Sequence, residues 1–198
     1  MKSILLATLA GTFALVASHA AEIGKPAPAF TAKNAKGETV SLADLKGKVV
    51  VLEWTNPECP FVQKHYSSGN LPKLQMDYTA KGVVWLTVNS AAVGKQGYGD
   101  PAKMTEQAAK DKNAATHLVI DSDGTIGKAY NAKVTPHMFI ISKEGELRYD
   151  GAIDSKPTTE KADIATADKL FANALDAVID GTEVKNAKNQ PYGCGVKY

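Results

Sequence analysis

Two unbroken apolar runs mark the middle of the chain, Val49-Val50-Val51-Leu52 and Val83 to Val88. Neither alternates with polar residues, and runs of this length suit strands buried on both faces. The stretch between them predicts a helix from Pro60 to Tyr78, with Gly69 and Pro72 as points of interruption and Gly82 as its end. After the glycine-rich loop Gly94 to Gly99, Asp100-Pro101 reads as an N-cap with proline at the first helical position, opening a helix to about Lys112. Leu118 to Ile120 predicts a third strand, Asp121 to Gly124 a turn, and Thr125 to Tyr130 a short helix. Met138 to Ser142 and Glu146 to Tyr149 flank Lys143-Glu144-Gly145 as a hairpin. From Asp163 to Ile179 apolar residues recur at 164, 167, 170, 171, 174, 175, 178 and 179, an amphipathic helix stopped by Gly181.

Ahead of the first apolar run, Phe30 to Ala32 and Thr39 to Ser41 flank Ala35-Lys36-Gly37, an N-terminal β-hairpin, and Leu42 to Leu45 forms one helical turn. Strands alternating with helices imply an α/β fold with a parallel core and helices on both faces, and the hairpins add antiparallel edges, giving a central mixed sheet. The tail from Thr182 is polar and expected to be irregular until Cys194, with few apolar anchors.

The first residues belong to another class. Lys2 precedes the apolar run ILLATLAGTFALVA, and Ser18-His19-Ala20 precedes Ala21, the pattern of a cleaved export signal. The run is short for a membrane anchor and no stop-transfer charges follow it. The organisation expected is a signal peptide at 1–20, one domain at 21–181 and a tail at 182–198 carrying Cys194. The expected location is exported and periplasmic, where disulfides persist. The formal charge is +2, and loss of Lys2 leaves 22 bases against 21 acids. That balance calls for neither nucleic acid nor, once the signal is removed, a membrane.

The chain has two cysteines, Cys59 in WTNPECPFVQKH and Cys194 in PYGCGVKY. Cys59 falls at the N-cap of a predicted helix with Pro60 next. Free N–H groups and the positive helix end favour a thiolate there, and such cysteines drop from about 8.5 to roughly 3.5–7.5. An acidic, accessible thiol is expected; the plainer reading is a buried structural cysteine.

GKPAPAF, GETVSLADLKGKVVVLEW, the CP pair and VTPHMFIISKEGEL, in this order and spacing, resemble the thioredoxin-fold redoxins. That group holds AhpC/TSA peroxiredoxin-like proteins and exported thiol-disulfide oxidoreductases. The chain is similar in particular to exported peroxiredoxin-like redoxins with a CPFV-type site and a Gly-Cys near the C-terminus. The resemblance covers most of 22–180. It implies a thioredoxin-like fold with Cys59 as nucleophile, Pro136 as a cis proline facing it, and Pro60 and Thr135 at the substrate, Thr135 offering backbone groups to an extended chain. It also places Glu53, six residues before Cys59, where redoxins keep a buried acid that handles protons. A carboxylate reaching solvent or a lysine is the plainer reading of Glu53. No cofactor is implied.

The pattern departs from thioredoxin at Val62, where a second cysteine would stand. Oxidised Cys59 then needs another partner, and Cys194 is the only one in the chain. Cys194 reads as a resolving thiol, a static clamp or an unrelated thiol. A crosslink closing so long a loop would constrain the unfolded chain by roughly 5 kcal/mol. Lys64 and His65 stand either near the thiolate or on a solvated face. Cys59, His65, His137 and Cys194 together raise a metal reading, disfavoured because metal-binding redoxins carry closely spaced cysteines. The groups a peroxidase uses are missing: Asn56 stands in the threonine position, Leu52 in the proline position, Pro136-His137 where an arginine is expected, and Arg148 one strand later.

The favoured reading is thiol-disulfide oxidoreduction by Cys59, resolved by Cys194 or an external thiol, on protein or small-molecule thiols and disulfides. Thiol-dependent reduction of peroxides is the alternative, and metal handling or binding alone the lesser one.

Overall fold

The computed structural model describes residues 20–198, so the leader read over 1–20 lies outside the described residues except for Ala20. β1 (Thr31–Asn34) and β2 (Thr39–Ser41) make the expected hairpin. Its turn is closed by Asn34, whose side-chain oxygen accepts from the N–H groups of Lys36 and Glu38 at 3.0 Å each. A 3₁₀ turn at Leu42–Leu45 leads into β3 (Val50–Trp54). There follow α1 (Pro60–Ser67), α2 (Asn70–Ala80), β4 (Val84–Asn89), α3 (Pro101–Lys110), β5 (His117–Ile120) and α4 (Thr125–Ala129). The chain continues through β6 (Val134–Thr135), β7 (His137–Ile141), β8 (Leu147–Gly151), a 3₁₀ segment at Lys161–Thr166, α5 (Leu170–Ile179) and β9 (Cys194–Gly195).

The main sheet runs β2-β1-β5-β4-β3-β7-β8. Its β3-β4-β5 core is parallel and the flanking pairs are antiparallel. This is the mixed thioredoxin-like α/β arrangement the sequence predicted. β3 is central, and the period of two sends its side chains to opposite faces. Val50, Leu52 and Trp54 join Leu86, Val88, Ile126 and Phe139 in one core. Val49 and Val51 join Trp85, Val62, Leu71, Phe171 and Leu175 in the other. Glu53 follows the second set, so its carboxylate points into the core beneath α1 and α2.

One helix breaks at Gly69, one of the two points expected, and two elements differ from expectation. The helix predicted over 60–78 is two: Gly69 takes a left-handed φ of +78° between them, and Pro72 sits in the first turn of α2, where its missing N–H costs nothing. The helix predicted over 163–179 keeps only its second half. Before it, Asp168 N–H donates to the Ser155 hydroxyl at 2.9 Å and the Thr158 hydroxyl donates to Asp163. Such side-chain bonds compete with helical ones. The tail is also pinned. Asp150 N–H donates to the Ala187 carbonyl, Ala92 N–H to the Lys197 carbonyl and the Tyr198 hydroxyl to the Ala132 carbonyl, while β9 pairs antiparallel with β6.

Candidate active site

Cys59 is the N-cap residue of α1, with Pro60 at the first helical position. Its extended backbone (φ −83°, ψ 121°) turns the side chain back over the helix start. Its own N–H is satisfied by the Asn56 carbonyl at 3.0 Å. The Thr135–Pro136 bond is cis, and the Thr135 carbonyl accepts from the Cys59 thiol at 3.0 Å. β9 lies along the same edge, Cys194 opposite Thr135 and Gly195 opposite Val134. Val196 N–H donates to the Lys133 carbonyl at 3.0 Å, continuing the ladder. The two cysteines are free, and Cys194 packs against the core cluster that contains Cys59.

The pair is electrostatically asymmetric. Burial alone would push the Cys59 thiol up. Bonds from the Cys194 and Thr135 side chains and from the N–H groups of Val62 and Cys194 outweigh it and bring Cys59 below its ordinary value. Cys194 moves the other way, to about 11, through burial and the neighbouring Cys59. Of the two sulfurs, Cys59 is therefore the more acidic and Cys194 the less.

One expectation needs correction. Cys59 is not accessible: it is 1 % exposed, while Cys194 is half-buried. The edge of Thr135 that was to receive a substrate chain is occupied by the protein's own tail. Pro60 is exposed at the rim, and Val62 is fully buried where a local resolving cysteine would have stood.

Glu53 is fully buried and richly bonded. It accepts from the Tyr66 hydroxyl at 2.7 Å, from Gln75 Nε2 at 2.9 Å and from Trp85 Nε1 at 2.8 Å. Asn113 Nδ2 in turn donates to the Tyr66 hydroxyl at 2.8 Å. Desolvation outweighs the three donors and raises the carboxyl. No bond joins Glu53 to either sulfur; its cage opens instead towards a cavity of about 250 Å³ lined by Tyr66, Asn113, Thr87, α3 and the loop before Cys59.

Lys64 and His65 are neither beside the thiolate nor solvated. Both are buried against Asp154 and Tyr192. Lys64 Nζ donates to the Lys156 carbonyl at 2.9 Å and stands 3.8 Å from Asp154 Oδ2. Asn70 Nδ2 meets His65 Nδ1 at 2.9 Å, which leaves the proton on Nε2 to donate to the Tyr192 hydroxyl at 3.1 Å. Tyr192 donates to Asp154 Oδ1. Burial is the main reason that the imidazole titrates only near about 4; the Lys64 charge adds to it against the pull of Asp154. His137 has its own partners, donating from Nε2 to Asp150 at 2.8 Å and accepting from Lys133 N–H at 3.4 Å. Both imidazoles of the metal reading are thus engaged away from the sulfurs, and no cluster of three His, Cys, Asp or Glu suited to a metal occurs among the described residues.

The peroxide-organising positions are also turned elsewhere. Asn56 donates to the Gln96 carbonyl at 3.2 Å and accepts from Glu58 N–H at 2.9 Å, and Leu52 is in the core on the other face of the sheet. The residues that sequence reasoning missed are Asp154 and Tyr192. Tyr192 carried a faint signal, an aromatic beside Gly-Cys in a polar tail. Asp154 carried none.

The AhpC/TSA family matches residues 23–150. That span includes Cys59 and Pro136 and ends before Asp154, Tyr192 and Cys194. The thiol-disulfide oxidoreductase ResA of Geobacillus kaustophilus is 30% identical over 129 residues, covering 65% of this chain and 68% of the relative. A candidate peroxiredoxin, bcp of Coxiella burnetii, is 29% identical over 136 residues, 68% of this chain and 83% of the relative. The crystal structure of an uncharacterized conserved protein from Geobacillus kaustophilus superimposes with a TM-score of 0.74 at 28% identity, over 89% of this chain and 92% of that one. By the family match over residues 23–150 and by its fold, the chain belongs to the AhpC/TSA family.

Proposed function

We propose that the protein is a thiol-disulfide oxidoreductase whose redox pair is Cys59 and Cys194. The observation that carries this reading is the β6–β9 pairing, which sets Cys194 opposite Thr135, whose carbonyl accepts from the Cys59 thiol, although no cysteine stands at Val62. In the reducing direction the Cys59 thiolate attacks one sulfur of a substrate disulfide. The substrate S–S bond breaks, one substrate thiolate leaves, and a mixed disulfide remains on Cys59. Cys194 then gives up its proton and attacks the Cys59 sulfur, forming the 59–194 bond and releasing the second substrate thiolate. Two electrons pass to the substrate; the Cys194 proton ends on one of its two sulfurs and solvent supplies the other. The oxidising direction is the same sequence reversed. Substrates of the proposed class are protein or small-molecule thiols and disulfides. Peptide mapping of the oxidised protein tests the reading: a single 59–194 crosslink is expected, and failure of the two sulfurs to link under any mild oxidant overturns it.

Peroxide is the weaker substrate in this reading, because Asn56 and His137 are bonded away from the thiol. Export rests on the leader pattern; a mature chain beginning at Ala21 outside the cytoplasm is the expected product.

Glu53 is assigned the role of proton holder, supported by its raised carboxyl and its cage of donors. Its folded-state value lies above the unfolded one, so its contribution to stability is complete below about 4.5 and is lost as pH rises through the folded value. Glu53→Gln abolishes that loss. The urea midpoint of the variant should gain on wild type steadily from pH 4.5 upward, and a difference independent of pH sinks the assignment of a raised carboxyl.

A further inference from the structure

Cys59 can be reached only where the tail permits. Its sulfur is buried, and the strand that covers it is held in register on the one free edge of Thr135. The tail itself displays the pose by which a polypeptide brings a sulfur to Cys59: antiparallel to β6, with a backbone so close that a Cβ at Gly193 would lie 1.9 Å from the Thr135 oxygen. An external chain using that pose must displace β9.

Two residues before Cys194, Tyr192 is half-buried against the body of the protein. Its ring lies edge-on to Phe61, centroids 5.8 Å apart, and the Lys64 ammonium stands 5.7 Å from its centre. Its hydroxyl bridges Asp154 and His65. The charges around it have few alternatives. Lys64 has no exposed side-chain surface, and Asp154 Oδ2 is buried without a hydrogen-bond partner. Withdrawing the Tyr192 hydroxyl would leave the other Asp154 oxygen with only Lys156 N–H, at 2.9 Å. An under-bonded buried carboxylate is costly, so the cluster holds Tyr192, and Tyr192 holds the strand. The arrangement links α1, which begins at Cys59, to the segment that carries Cys194.

From this geometry we infer that Tyr192 is the specificity-determining residue that closes Cys59 to extended polypeptide chains, leaving the sulfur pair to small thiols and disulfides while its hydroxyl is seated. The inference rests on the proposed exchange chemistry at Cys59, yet its test does not depend on whether Cys194 forms a bond.

In a Cys194→Ser background Cys59 is the only thiol. Its alkylation is compared for N-ethylmaleimide and for the same maleimide carried on a polyethylene glycol chain. Tyr192→Phe keeps the ring against Phe61 and removes only the hydroxyl. Loss of a buried bond to a charged acceptor is expected to raise the rate for the bulky reagent about tenfold, with a smaller rise for the small one. Tyr192→Ala should extend the effect. Tyr78→Phe removes a hydroxyl bonded to the Ala172 carbonyl, away from the tail. It should leave the ratio of the two rates at the wild-type value even where stability falls. If Tyr192→Phe leaves that ratio unchanged, the inference is overturned, whether or not Tyr192→Ala folds. Peptide mapping of the intact pair reports separately on the exchange chemistry.

Discussion

Replacing Cys59 with serine is expected to bring thiol-disulfide exchange down by at least about three orders of magnitude, the scale on which loss of an attacking nucleophile is felt. The thiolate is the reactive form, and a serine hydroxyl at the same N-cap has no comparable anion near neutral pH. The fold should survive, since serine is also a good N-cap and the Asn56 and Gln63 backbone bonds at this position involve no side-chain atom. Cys194→Ser makes the informative contrast. Cys59 remains and still attacks, but the mixed disulfide is no longer resolved within the chain and should accumulate with small thiols. Turnover of a disulfide substrate with a thiol reductant, followed by mass analysis of the trapped species, separates the two variants. If Cys59→Ser keeps more than a small fraction of wild-type turnover, Cys59 is not the nucleophile. Should wild-type Cys59 react with hydrogen peroxide orders of magnitude faster than a free thiol of equal acidity, the peroxidase alternative takes precedence.

Gly193→Ala is the second large effect. Gly193 has φ +136°, a conformation that side chains rarely adopt. A Cβ there would meet the Thr135 carbonyl oxygen at 1.9 Å and the Pro136 nitrogen at 3.3 Å. These are backbone atoms beside a bonded cysteine, with no flexible end to swing aside. Backbone strain alone costs about 1–3 kcal/mol, and β9 must lift from β6 to relieve the overlap. The equilibrium between the 59–194 disulfide and glutathione should shift towards the reduced form by about 5- to 160-fold, the same energies expressed as a ratio. Gly195→Ala is the matched control, because a Cβ at that position has only the Lys133 oxygen near it, at 4.0 Å. Its equilibrium should stay within a few-fold of wild type. A Gly193→Ala chain that forms the disulfide as readily as wild type would show that Cys194 reaches Cys59 without the strand pairing described.

The elements that could be read from the chain are those whose cause is local or periodic. The apolar runs of β3 and β4, the Asp100-Pro101 helix start and the Lys143-Glu144-Gly145 turn each depend on residues within a few positions of one another. Cys59-Pro60 at a helix start was legible for the same reason, while a buried acid at Glu53 was expected only from the resemblance. The break at Gly69 was one of two offered, and the choice between Gly69 and Pro72 turned on a left-handed φ that only one of them adopts freely. The helix read from Asp163 failed at its first half because Ser155 and Thr158, outside the periodic window, competed for its polar groups.

Fold class and the two candidate sulfurs were therefore legible in the sequence itself, since helix ends, buried strands and thiol chemistry follow from short-range patterns and residue type. Only the tertiary structure decided that the tail, irregular up to Cys194, ends in a two-residue strand paired with β6 beside Cys59. It alone showed that Lys64 and His65, read as neighbours of a thiolate or a wet surface, are buried around Asp154 and Tyr192. Those contacts join residues about 90 and 127 positions apart, and no periodicity or spacing along a chain encodes a hydrogen bond between segments that meet only once the sheet has formed.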